Sequence, residues 1–233
     1  MASKPPTNEA FLREVDEELR RDQLQRFGTR WGIPLIIAIL VALAAFGGWL
    51  WWNHEQGKKA EAQGEELSQV LHDLESGKTE GAEARLTKIA AEGGDGYRAT
   101  AELTLASLKL QAGDTKAAAT AYKKVADDAK VAKPFRDLAL VRQTATEYDS
   151  LKPEQVIERL KPLAVKGNPW FGSAGEMVAA AYLAQNKPDQ AGKLFGEIAQ
   201  DQTVPESIRS RAVQMAGVLG VDAVDQSRGE DKQ

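Results

Sequence analysis

The chain has 233 residues, of which 42% are hydrophobic and 27% charged, and its formal net charge is −4 at pH 7. It contains no cysteine and only two histidines, so it offers neither a disulfide framework nor the ligand set of a zinc cluster. The acidic balance argues against nucleic-acid binding, because proteins that bind phosphate backbones carry clustered Lys and Arg.

Residues 1–30 form a head with a helical pattern. Apolar side chains recur at three- and four-residue steps from Phe11 to Phe27, among charged residues that are acidic first and basic last. This order suits the dipole of an amphipathic helix, whose C-terminal end favours cations. Such a helix either only leads into the next segment or docks a cytoplasmic partner.

Residues 31–52 carry no charged side chain and have tryptophan at both ends. As a helix, these 22 residues would span about 33 Å, enough to cross a hydrocarbon core of about 30 Å. A signal peptide has a shorter apolar stretch, and the Ala-x-Ala pattern at Ala42-Leu43-Ala44 lies inside the run rather than after it. We therefore expect an uncleaved transmembrane helix.

Basic residues near this span predict its orientation. Five arginines lie within the 20 residues before it, whereas the 20 residues after it contain only Lys58 and Lys59. Because Lys and Arg accumulate on the cytoplasmic side, the head is expected in the cytoplasm and the body in the periplasm of a bacterium. The sequence thus predicts a single-pass inner-membrane protein that is anchored in the lipid bilayer.

The body that follows is predicted to be all-α. Residues 53–66 either continue the membrane helix as a stalk or are flexible, because Gly57 and Gly64 weaken a helix. Beyond them Ala, Leu, Glu, Gln and Lys dominate, with no sustained alternation of β-branched residues. The polar residues 222–233 are expected to form a disordered tail.

A turn followed by a small residue and, four residues later, a larger one recurs four times in the body. The four pairs are Ala82 and Leu86, Ala118 and Tyr122, Val156 and Leu160, and Ala191 and Phe195. Their spacings of 36, 38 and 35 residues resemble the tetratricopeptide repeat, a helix pair with a period of about 34 residues. Residues 67–221 are therefore predicted to form a degenerate tetratricopeptide-like α-solenoid of about four helix pairs, which a final helix over residues 206–219 caps.

Motifs for catalysis are nearly absent. The segment Gly172-Ser173-Ala174-Gly175 is one residue too short for a nucleophile elbow and has no strand before it, so Ser173 is expected on a helix. The run Gly93-Gly94-Asp95-Gly96 lacks the Lys-Ser/Thr of a phosphate-binding loop and predicts a turn between repeats. His54 lies at the membrane boundary and His72 on an amphipathic helix. We expect no enzyme, cofactor or metal site.

A solenoid of helix pairs binds partners on its concave face, which the first helix of each pair lines. The repeat register predicts a partner-binding groove that contains Thr100, Leu103, Ser107, Leu110, Ser173, Glu176, Ala180 and Leu183. This mixture of apolar and polar residues suits peptide segments rather than one ion or metabolite. In an alternative register, one residue away, the leucines belong to the hydrophobic core.

The order of head, span and repeats resembles a known family. The head motif from Phe11 to Asp22, the single span and the degenerate repeats together look like the ancillary subunit of the bacterial Sec translocon, in its alphaproteobacterial form. The resemblance implies partners among the translocon membrane subunits and a periplasmic folding factor. It also implies a chaperone-like role for unfolded or nascent envelope proteins. It implies no catalytic residues. The alternative is a scaffold for another cell-envelope assembly, such as the cell-wall or division machinery.

Overall fold

The computed structural model describes the backbone of residues 8–222 and the side chains of residues 32–222. Within residues 8–222 all regular structure is helical, which confirms the predicted all-α fold. The helices are α1 (Asn8–Glu75), α2 (Ala82–Glu92), α3 (Asp95–Gln111), α4 (Thr115–Asp127), α5 (Lys133–Glu147), α6 (Pro153–Leu160), α7 (Phe171–Ala184), α8 (Pro188–Gln200) and α9 (Glu206–Val218). The side chains of the predicted amphipathic head, and residues 223–233 of the predicted disordered tail, lie outside this description.

The chain divides into two compact units, Met1–Lys59 and Ala60–Gln233. The first unit contains α1 as far as Lys59, and the second contains the remainder of α1 and every later helix. Residues 53–66, including Gly57 and Gly64, lie within α1, and their role as a stalk stays a prediction.

The apolar part of α1 leaves its side chains uncovered by protein. Between residues 33 and 52 the large apolar side chains are 48–70% exposed; they are Ile33, Leu35, Ile36, Ile37, Ile39, Leu40, Val41, Leu43, Phe46, Trp49, Leu50, Trp51 and Trp52. Pro34 lies inside the helix without ending it. This segment is long and apolar enough to span a membrane.

The second unit is a stack of helix pairs in which each helix packs mainly against its neighbours along the chain. The end of α1 pairs with α2, and the following pairs are α3 with α4, α5 with α6, and α7 with α8. The helix α9 then covers α7 and α8. The predicted solenoid of four helix pairs and a capping helix is therefore confirmed as the arrangement of this unit.

The residues that defined the repeat are buried at equivalent places. Each pair lies on the second helix of its unit, and all eight side chains are at most 4% exposed; they are Ala82, Leu86, Ala118, Tyr122, Val156, Leu160, Ala191 and Phe195. The small side chain at the start of the helix permits a close approach to the preceding helix. The larger one, a turn later, fills the space between helices, and its full burial contributes about 1.5–3 kcal/mol.

Three of the turns between paired helices share one hydrogen-bonded form. At the end of α1, the Gly77 N–H donates to the Leu74 carbonyl (3.0 Å) and the Lys78 N–H donates to the Asp73 carbonyl (2.8 Å). The same two bonds recur at Gly113 and Asn186, and these three turn residues have φ values of +77°, +84° and +58°. This is the Schellman motif, whose left-handed residue is usually Gly or Asn.

The third helix pair departs from the others. The helix α6 has only 8 residues and ends at Leu160, two positions before Pro162, which has no N–H to continue the helical hydrogen bonds. In the next helix, α7, two glycines allow neighbouring side chains to pack directly against the backbone. A Cβ on Gly172 would lie 2.6 Å from a Val204 methyl carbon, and one on Gly175 would lie 2.7 Å from Ile198 Cδ1.

The substitution Gly113→Ala tests the turn geometry. A Cβ at this position would meet no heavy atom within 4 Å, so its cost is conformational and arises from the φ of +84°. We expect the free energy of unfolding to fall by about 1 kcal/mol. Urea-induced unfolding of the full chain in neutral detergent, followed by circular dichroism, measures this change.

Gly217→Ala is the matched control, because Gly217 lies inside α9 and its Cβ would also enter open space. Alanine is the better helix former, so this variant is expected to gain up to about 1 kcal/mol. An equal loss of stability in both variants would contradict the conformational explanation.

Candidate protein-interaction surface

An open pocket of about 480 Å³ lies on the first helices of three successive pairs. Its lining comprises Leu67 of α1, Phe135 of α5, and the start of α3 from Gly94 to Tyr97 together with Thr100. We call it the first-helix pocket. It lies on the class of helices that was expected to form a binding face, and its aromatic and aliphatic lining suits an apolar side chain.

A close approach between α1 and α3 shapes this pocket. A Cβ on Gly64 would lie 2.9 Å from the Tyr97 hydroxyl oxygen, so the absence of a side chain lets the Tyr97 ring reach α1. One turn further along α1, Leu67 is only 6% exposed and contributes to the core formed with α2 and α3. Gly64 and Leu67 share one face of α1 because they are three residues apart.

The turn between α2 and α3 is held by a single amide side chain. Gln63 Nε2 donates to the Glu92 carbonyl (3.0 Å), and Gln63 Oε1 accepts from the Gly94 N–H (3.1 Å). The two bonds tie the backbone on either side of Gly93 to α1 and position the start of α3. Sequence reasoning missed this role, because the partners lie 29 and 31 residues away and leave no local signal.

An ion pair connects α3 to the turn that precedes α5. Arg98 Nη1 donates to Asp128 Oδ2 at 3.0 Å, and Asp128 Oδ1 accepts from the Lys130 N–H at 2.9 Å. The backbone bond from Lys130, followed by the bond from Arg98, holds the pKa of Asp128 below its ordinary value. The bond to Asp128 in turn raises the pKa of Arg98. These contacts stabilise the segment that leads to Phe135.

The four predicted groove residues on α3 occupy different environments. Thr100 lines the first-helix pocket, and its hydroxyl donates to the Gly96 carbonyl (2.9 Å). Leu103 is 8% exposed and belongs to the core with α4 and α5. The Ser107 and Tyr122 hydroxyls share a hydrogen bond of 2.7 Å. Leu110 is 38% exposed at the end of the helix.

The four predicted groove residues on α7 lie outside the first-helix pocket. Glu176 accepts two hydrogen bonds from Arg211 of α9, of 2.9 and 2.7 Å, so its carboxylate is engaged by the capping helix. Leu183 packs against the core of α7, α8 and α9. Ser173 and Ala180 are half-buried on α7. Binding of a partner by the predicted eight-residue groove stays a prediction.

A second pocket, of about 410 Å³, lies between the end of α1 and α2. Its walls mix apolar and charged residues, including Ile89, Lys88 and Glu92. Arg85, which also lines it, donates hydrogen bonds to Glu66 and, at 2.9 Å, to Asp73. This guanidinium therefore joins α2 to α1 and is not free for a ligand.

The comparisons with known proteins agree with this architecture. A family profile described as "Tetratricopeptide repeat-like domain" matches residues 25–216, which is most of the chain. Neither a curated protein nor a solved structure matched the chain.

The lowered pKa of Asp128 predicts a pH-dependent contribution to stability. A carboxyl group whose pKa is lower in the folded state stabilises that state above its unfolded pKa, and the contribution disappears as the pH falls through the folded pKa. We expect Asp128→Asn to be less stable than the wild type at pH 7, and the difference to shrink from about pH 5 downward. Urea unfolding across this pH range measures the difference.

Asp127→Asn is the control for the loss of a neighbouring carboxylate. Asp127 pairs with Lys123 within α4, and its side chain is 63% exposed, so its removal is expected to cost less stability at pH 7. If both variants lost the same stability, the link between α3 and the α4–α5 turn would not be the cause.

Proposed function

Because the chain belongs to the tetratricopeptide repeat-like domain family, we propose that it is a membrane-anchored protein-interaction module without enzymatic activity. Repeats of this kind stack helix pairs into extended surfaces that bind other polypeptides. The proposal rests on two features of one chain. An apolar helix whose side chains are not buried by protein precedes a solenoid that has an apolar pocket on its first helices.

The exposed apolar part of α1 is the proposed membrane anchor. Large apolar side chains at 48–70% exposure along residues 33–52 are costly in water and favourable in lipid. The excess of arginine before the span, five against two lysines after it, favours a cytoplasmic head and a periplasmic solenoid. The protein would then be a single-pass component of a bacterial inner membrane.

The proposed role is to assist secreted and envelope proteins as they leave the Sec translocon. This part rests on the resemblance of the head motif, from Phe11 to Asp22, and of the domain order to the ancillary translocon subunit. The proposed partners are the translocon membrane subunits, a periplasmic folding factor and unfolded envelope proteins. Tethering raises the effective concentration of the solenoid near the exit site, so weak contacts suffice for capture.

The orientation is tested with reporters that are active on one side of the membrane only. Alkaline phosphatase fused after Gln233 is expected to be active, because it would lie in the periplasm, whereas a fluorescent protein that folds only in the cytosol would stay dark there. Phosphatase fused after Arg30 is the control and is expected to be inactive. The reverse pattern would place the solenoid in the cytoplasm and contradict the proposed function.

The partners are tested by photocrosslinking in living cells. A photoreactive amino acid at Leu110 of the full chain is expected to crosslink to translocon subunits or secretory chains, which mass spectrometry then identifies. Thr120 is the control, because it is exposed on α4, a second helix of its pair, and away from the first-helix pocket. Crosslinks to cell-wall or division proteins instead would favour the scaffold alternative.

A further inference from the structure

We infer that the first-helix pocket selects polypeptide segments in which a large apolar side chain is flanked by Lys or Arg. This inference rests on the proposed function, because it names the chemistry of the segments that the solenoid would bind. Its two components are the lining of the pocket and the charge of the helices that surround it.

The lining accounts for the apolar part of the segment. Leu67, Tyr97 and Phe135 approach from three helices and leave an open space of about 480 Å³. Tyr97 and Phe135 are each partly exposed, so their rings present apolar surface to a ligand without leaving the core. Aromatic-lined pockets of this kind hold one buried anchor side chain of a partner.

The charge of the surrounding helices accounts for the basic flanks. Asp95 is the only residue of the pocket lining with a charge at neutral pH. Glu61 is exposed on α1, one turn before Gly64 and on the face that carries Gly64 and Leu67. Residues 60–102, which supply the α1 and α3 parts of the lining, have ten acidic and four basic residues, a net charge of −6. Residues 103–142, which include Phe135, have eight basic and four acidic residues, a net charge of +4, so the acidic side of the pocket is the side of α1 and α3.

The nearby arginines form salt bridges with other carboxylates or lie outside the pocket lining. Arg98 is bonded to Asp128, and Arg85 is bonded to Glu66 and Asp73. Arg136 follows Phe135 in α5, but its Nε is buried and it does not line the pocket. Within residues 32–222, the Glu61 and Asp95 carboxylates form no salt bridge. Asp95 is attracted to the nearby Arg98, but the Arg98 guanidinium is bonded to Asp128.

The two components predict how binding depends on conditions. The apolar anchor supplies affinity by burial in the pocket, and the flanking cations add attraction to Asp95 and Glu61 at a partly exposed rim. Attraction between charges at such a rim is screened by salt and mainly affects selectivity and the rate of association. A segment with the same anchor but acidic flanks would be repelled.

The test uses the full chain in nanodiscs of zwitterionic lipid, so that basic peptides do not bind the bilayer. Three labelled twelve-residue peptides are compared by fluorescence anisotropy, with a central Phe flanked by Lys, a central Phe flanked by Glu, and a central Ala flanked by Lys. The Phe–Lys peptide is expected to bind tightest and to weaken with added salt. Empty nanodiscs correct for binding to lipid.

Two charge-reversal variants, each at the start of a helix, test whether the acidic rim of the pocket attracts the basic flanks of the peptide. Asp95→Lys is expected to weaken binding of the Phe–Lys peptide about threefold to tenfold at low ionic strength. Asp189→Lys removes an acidic residue from the first turn of α8, far from the pocket lining, and is expected to leave binding unchanged. Both variants lose an acidic residue at a helix start, so any difference between them reports on the pocket.

A variant that fills the pocket tests whether it binds the apolar side chain of the peptide. Thr100→Phe is expected to weaken binding at least about tenfold, because the new ring occupies the space of the ligand side chain. If this variant fails to fold, a peptide with a photoreactive benzophenone in place of its central Phe provides the readout in the wild type. Its crosslinks are expected at Tyr97, Thr100 or Phe135.

Three results would overturn the inference: equal binding of the Lys- and Glu-flanked peptides, equal binding of the Phe and Ala peptides, or crosslinks confined to other surfaces. These failures are distinguishable from failure of the proposed function. If photocrosslinking in cells still captured secretory chains at Leu110, the interaction module would stand and only the chemistry assigned to its segments would be wrong.

Discussion

The close approach of paired helices is the constraint on which the solenoid depends. At the start of each second helix stands a residue no larger than valine, and one turn later a leucine or aromatic ring is buried against the preceding helix, as with Ala118 and Tyr122. With no cysteine, the chain has no disulfide to hold these pairs together. Small-to-large complementarity at every pair therefore carries the stability of the body.

The same principle of small residues explains the shape of the interaction surface. Gly64 lets the Tyr97 ring reach α1, and Gly93 and Gly94 form the short turn that Gln63 holds. A larger residue at Gly64 would push Tyr97 outward and alter the first-helix pocket. The pocket thus follows from the packing of the first three helix pairs rather than from a separate binding loop.

The charged groups on the solenoid surface differ between its two ends. The first helix pair and the start of α3 are acidic. Arg98 lies on α3, but its guanidinium forms a salt bridge with Asp128. At the far end, Arg211 of the capping helix occupies Glu176, a carboxylate that would otherwise be free on α7. The two ends of the solenoid therefore present different chemistry, although their repeats share one pattern.

The sequence by itself determined the helical class, the apolar segment of α1 and the repeat positions from Ala82 to Phe195. These features depend on composition and on contacts within one or two turns, which leave a periodic signal. Only the tertiary structure decided that Leu103 belongs to the core, that Glu176 is engaged by Arg211, and that Gln63 holds a turn 29 residues away. A helix rotates by about 100° per residue, so a register shift of one position moves a side chain by more than a quarter of a turn between surface and core. Contacts between distant segments leave no periodic pattern in the sequence.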